Sequence, residues 1–140
     1  MPVLNNLAKI AAKPIPRMVG PQVHSMIDYA TVGIFLASVP WFWRRNKRAA
    51  LASLICGGAE LAVMLLTDYP GGVKKSISFS AHREMDYGLA AMVATMPESL
   101  GFDGADERKF FRVQGAGITL LGELTKPPAI RSKGKRARAA

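Results

Sequence analysis

Residues 24–29 read His-Ser-Met-Ile-Asp-Tyr and residues 82–87 read His-Arg-Glu-Met-Asp-Tyr, so the pattern H-x-x-x-D-Y occurs twice at an offset of 58. Recurrence at a fixed spacing marks an internal repeat, and it governs how the flanking residues are understood. The same offset of 58 relates Gly57 to Gly115, Thr67 to Thr125 and Pro70 to Pro128. Ser38-Val39-Pro40 is related to Thr95-Met96-Pro97 at 57, which implies one small slip. The chain thus divides into a first copy at about 22–70 and a second at about 80–128. Residues 1–21 precede them and a basic stretch, 129–140, follows.

Charge is partitioned along the chain. No residue from 29 to 43 is charged, and between 49 and 66 only Glu60 is, although 19 Lys and Arg against 10 Asp and Glu give the whole chain a net charge of +9. A helix of a small soluble domain keeps one polar face for water, and neither run has one. Two membrane-spanning helices are therefore expected, at 22–43 and 49–67, the first ending in the interface-seeking Trp41 and Trp43 and the second in Asp68-Tyr69-Pro70-Gly71-Gly72. The third and fourth segments, 80–100 and 110–124, have short uncharged cores, and repetition argues that they span because the first pair does. The expected fold is all-α: a transmembrane bundle of four helices made of two parallel-duplicated hairpins, related by a pseudo-two-fold axis along the membrane normal.

Val3, Leu7 and Ile10 fall at helical spacing opposite Lys9 and Lys13, so residues 3–12 suit a short interfacial helix as well as they suit a flexible terminus. Pro14, Pro16 and Pro21 interrupt any signal-peptide core there. The tail from Arg131 to Arg138 has no apolar residue to fold around; it is expected to be disordered or to lie on anionic lipid, and without interleaved aromatics it argues against nucleic acid as a partner. Twelve Lys and Arg fall on the side of the termini and seven on the other, which orients both termini toward the cytoplasm.

A two-helix repeat whose first helix carries Ser38-Val39-Pro40-Trp41 resembles the small bacterial membrane proteins described by the SPW repeat. Here Val39 separates Ser38 from Pro40, and the second copy reads Thr95-Met96-Pro97-Glu98 without a Trp. The resemblance implies only architecture, over about 22–128, and supplies no reaction or ligand; a bacterial inner membrane is the expected location.

The H-x-x-x-D-Y clusters are the sharpest chemical feature. Residues four apart share a helix face, so His24 with Asp28 and His82 with Asp86 point the same way, each Asp standing behind its imidazole as a proton acceptor. A two-fold axis would bring His24 and His82 to opposite sides of one metal, as axial ligands of a haem or chlorin, or with Asp28 and Asp86 as a His₂Asp₂ site for a bare ion. Tyr29 and Tyr87 would border the same site. A purely structural role competes, since His and Tyr suit the headgroup region and an Asp near a helix start suits the helix dipole. Glu60 is an intramembrane acid, hence a functional candidate by default, and its partner in the second copy is the apolar Ile118. Gly57, Gly58 and Ala62, with Gly115, Ala116, Gly117 and Gly122, suit close helix packing. Cys56, the single cysteine, is expected to be inert packing.

No P-loop, dinucleotide fingerprint, zinc-ligand Cys pair or nucleophile elbow is present. Three functions follow as expectations: a structural or accessory subunit of a membrane complex, packing on other subunits or on itself and without catalysis of its own; a His-ligated haem, chlorin or metal-binding module; and a small oligomeric transporter or channel with Glu60 and the Asp pair along a polar path.

Overall fold

Pro21 occupies a first-turn position of a helix, where a missing N–H costs nothing, and the helix it opens, α1 (Pro21–Trp43), runs until the basic turn at Arg44. Asn46 caps α2 (Lys47–Leu66) by accepting from the backbone N–H groups of Arg48 and Ala49. Ser78 caps α3 (Phe79–Ser99) through Ala81 N–H, and Asp106 and Glu107 place negative charge in the first turn of α4 (Ala105–Leu124). The structure is a computed structural model describing residues 14–128, and among these it is all-helical apart from two isolated β-bridges. The interfacial helix expected at 3–12 and the basic tail at 129–140 lie outside the described residues. The fourth helix begins five residues before the expected 110, because Asp106, Glu107, Arg108 and Lys109 continue the helix as its charged first turns instead of forming a loop.

Each helix has 20–23 residues, hence about 30 Å of length at 1.5 Å per residue. The chain forms two hairpins, α1 packed along α2 and α3 along α4, which meet each other more sparsely through the α2–α3 and α1–α4 seams. Close approach within each hairpin depends on glycine. A Cβ on Gly57 would stand 3.1 Å from Phe35 Cβ, and one on Gly115 only 2.9 Å from the Ala90 carbonyl oxygen.

The hairpins are joined at both ends. Around the α1–α2 and α3–α4 turns, Phe35, Phe42, Phe102 and Phe111 form a buried aromatic cluster with Phe110 against it, ring centroids lying 5.2 Å apart for Phe42–Phe110 and 5.1 Å for Phe102–Phe111. Arg45 reaches across the turns to Asp106 at 3.1 Å. At the opposite end each hairpin finishes against the start of the other: Thr67 bridges Ile77 just before α3, and Thr125 bridges Val19 just before α1. These bridges also lie 58 residues apart.

The buried set includes polar groups and the surface includes large apolar ones. His24, Asp28, Ser38, Ser53, Glu60, His82 and Asp86 are buried, whereas Met26, Ile34, Trp41, Trp43, Leu51, Leu54 and Ile55 are exposed. Two helices, α1 and α2, are long and apolar enough to cross a membrane. Helices α3 and α4 carry more charge, including Arg83, Glu84 and Glu98 on one and Arg108, Lys109, Arg112 and Glu123 on the other.

The glycine contacts give a paired prediction. Gly115→Ala drives a methyl group into the backbone of α3 and should destabilise by about 1–3 kcal/mol. Gly117→Ala, where no atom lies within 4 Å of the added carbon, should stabilise by about 0.5–1 kcal/mol. Thermal unfolding of both variants under the same conditions checks the opposite signs.

Candidate metal centre

His24 and His82 are each the fourth residue of their helices, α1 and α3, and Asp28 and Asp86 follow one turn later. Helical spacing alone would give two separate pairs. The crossing of the hairpins instead brings all four side chains together, with solvent exposures of 0% for both His, 3% for Asp28 and 2% for Asp86. His24 Nε2 lies 3.2 Å from Asp86 Oδ2 and 3.3 Å from Asp28 Oδ2. His82 Nε2 lies 3.2 Å from Asp28 Oδ2 and 3.3 Å from Asp86 Oδ2. One atom from each residue thus forms an alternating N–O–N–O ring, all within 4.8 Å of one another.

The outer nitrogens fix the rings. Thr67 Oγ1 stands 2.6 Å from the Val63 carbonyl and 2.9 Å from His82 Nδ1, while Thr125 Oγ1 stands 2.6 Å from the Leu121 carbonyl and 2.7 Å from His24 Nδ1. A hydroxyl has one proton, and the short contact assigns it to the carbonyl one turn back. Each threonine therefore accepts from Nδ1–H, which fixes each ring with its Nε2 facing the centre of the cluster. Both threonines are held in place by the β-bridges, in which Asp68 N–H donates to the Ile77 carbonyl at 2.8 Å and Lys126 N–H to the Val19 carbonyl at 2.9 Å.

Aromatic and apolar side chains close the surroundings. Phe79 meets His24 edge-on at 5.2 Å between centroids, and Tyr69 lies 5.1 Å from His82. Val32, Met64, Tyr69 and Phe79 form one buried cluster. Tyr69 donates its hydroxyl to Asp28 Oδ2 at 3.2 Å. Burial first, and the Asp28 carboxylate next, push that phenol above its ordinary range, so it stays a donor. Asp86 Oδ1, by contrast, is buried without a hydrogen-bond partner.

Three sequence expectations need correction. Asp28 and Asp86 do not stand behind the imidazoles; they face the same centre as the Nε2 atoms, and the outer position belongs to Thr67 and Thr125. Tyr29 and Tyr87 are outside the cluster: Tyr29 donates to the Gly71 carbonyl at 2.7 Å and Tyr87 to Glu123 Oε1 at 2.8 Å, each tying its helix to the far end of its hairpin partner. The haem and chlorin alternatives also fail on space. A macrocycle needs a clear plane between two imidazoles, and here both Asp oxygens fill it 3.2–3.3 Å from both nitrogens. Glu60 is buried near the cluster but contributes no atom to it. Thr67, Thr125 and Tyr69 were not anticipated as site residues, although the offset of 58 between the threonines was visible.

A scan of family models and searches of curated proteins and of solved structures find no match to the chain.

Replacing both threonines tests the orienting role. Thr67→Val with Thr125→Val keeps the shape but leaves two buried Nδ1–H groups unpaired, at about 1–3 kcal/mol each. Denaturant unfolding should register that loss, and Thr→Ser at the same positions should recover most of it.

Proposed function

We propose that the chain is a membrane-embedded structural module whose two hairpins are clasped by one divalent metal ion held by His24, Asp28, His82 and Asp86. The observation that carries this is the near-equality of the four N–O separations, 3.2, 3.2, 3.3 and 3.3 Å. Charge-assisted hydrogen bonds between imidazolium and carboxylate would contract to about 2.7–2.9 Å and would choose partners. A ring with these sides has a centre about 2.0 Å from every corner if puckered to a tetrahedron and about 2.3 Å if flat, which brackets the bond lengths of zinc to His and carboxylate.

Charge supports the same conclusion. Among the described residues only the two His pair with Asp28 and Asp86, and no Lys or Arg does. Two buried carboxylates left with neutral imidazoles would cost several kcal/mol per ion, and a dication removes that cost. The donors, two imidazole nitrogens and two carboxylate oxygens, suit zinc or another borderline first-row dication. Four protein ligands complete a tetrahedral shell, as in metal sites that serve structure. Loaded, such a centre supplies a cross-link between α1 and α3, the helices of different hairpins.

Membrane embedding is supported by the apolarity of α1 and α2 and by the outward-facing Met26, Ile34, Leu51, Leu54 and Ile55, with Trp41 and Trp43 at one end. We extend it to α3 and α4 because they are equal in length and pack alongside, with charges concentrated toward helix ends where side chains reach the headgroups. Termini on the cytoplasmic face of a bacterial inner membrane, and an accessory role beside larger subunits, follow from the basic-residue asymmetry and the SPW-like segment at 38–41.

Purified in mild detergent without chelator, the protein should contain one transition-metal ion per chain by elemental analysis. Asp28→Asn with Asp86→Asn should abolish it, and stripping the wild type should lower its melting temperature by several degrees, since bound ligand stabilises the native state. Metal-free wild type that takes up no zinc, cobalt or manganese on dialysis would refute the proposal.

A further inference from the structure

The two halves of the molecule differ at the seam between α2 and α3. A cavity of about 300 Å³ opens there, lined by Glu60 and Val63 of α2 and by Met85, Gly88, Leu89 and Met92 of α3. Glu60 is only 4% exposed, and neither a hydrogen bond nor an ion pair within the described residues involves it. Its carboxyl group thus stands, without a partner among the described residues, at the wall of a mostly apolar cavity, where a hydrogen-bond donor on a bound ligand suits it better than hydrocarbon does.

Position 58 residues away sharpens this. Glu60 corresponds to Ile118 and Gly88 to Ala30, so the two residues that make this cavity polar and open are both replaced in the other half. Gly88 is not a packing requirement, because no atom lies within 4 Å of where its Cβ would be. A glycine inside a helix is less stable than alanine there, and at this site it leaves space that no described residue fills. The flanking Met85 and Met92 are flexible thioethers, which accommodate aromatic rings well.

We propose that the α2–α3 cavity binds a lipid-soluble phenol or hydroquinone, its ring between Met85 and Met92 and its hydroxyl donating a hydrogen bond to Glu60. The size fits: small-molecule sites begin at about 300 Å³, enough for one substituted ring. The site is distinct from the metal centre, to which Glu60 gives no ligand atom.

The test uses the full chain in lipid nanodiscs, titrated with 2,6-dimethylhydroquinone and followed by ligand-observed NMR. Wild type and Ala30→Leu, which alters the corresponding position in the other half, should bind alike. Glu60→Gln should weaken binding at least tenfold, and Gly88→Leu should abolish it, with the melting temperature of each variant confirming that it is folded. The dimethyl ether of the probe, which cannot donate, should bind no better to wild type than the hydroquinone binds to Glu60→Gln. Equal binding to wild type, Glu60→Gln and Gly88→Leu would reduce the signal to partition into lipid and overturn the proposal, as would an absence of binding to wild type.

Discussion

Two carboxylates, Asp28 and Asp86, are removed from water within one small space, and the organisation of this end of the molecule follows from what that requires. Among the described residues their only ion-pair partners are His24 and His82, each of which faces both of them. For the imidazoles to present Nε2, their Nδ1–H groups need fixed acceptors. Thr67 and Thr125 provide those at helix ends, where the backbone is free to make a bridge to the opposite hairpin. Each half thereby orients a histidine of the other, so neither hairpin can assemble its part of the centre alone.

The remainder of the packing serves the same end without repeating it. The aromatic cluster of Phe35, Phe42, Phe102 and Phe111 fixes the distance between hairpins at the turns, and Gly57 and Gly115 fix it within each hairpin. Between these points the α2–α3 and α1–α4 seams are thin. Apolar side chains such as Leu51, Leu54 and Ile55 face outward beside these seams, which is the arrangement that the proposed membrane setting would need. In that setting the buried polar groups would carry the specificity of assembly, since lipid gives no hydrophobic force between helices.

Much of this was legible in the residues. The H-x-x-x-D-Y recurrence identified the four converging side chains, because an i, i+4 spacing fixes a face and a repeat implies that two such faces meet. What it could not supply was the angle at which they meet. The placement of Asp28 and Asp86 inside the ring, not behind it, depends on the distance between α1 and α3, which is set by side chains remote in sequence. Thr67 and Thr125 were visible as a matched pair, yet a threonine at a helix end has many ordinary uses, and only the bridge to Ile77 or Val19 points it at a histidine. Tyr29 and Tyr87 share the motif but sit one residue beyond Asp, about 100° around the helix, and so face their own hairpin partner. The early start of α4 was hidden because Asp106 to Lys109 read as a charged loop, while in the fold they form helical turns beside Arg45.

The central claim is that four side chains from two halves of the chain converge on one ion. X-ray absorption at the metal edge of protein reconstituted with zinc or cobalt tests it most directly. The account predicts a single shell of four nitrogen and oxygen neighbours at about 2.0–2.1 Å, with outer scattering from two imidazoles per metal. A shell containing sulfur, one with a single imidazole, or six water-like oxygens with no imidazole would contradict it.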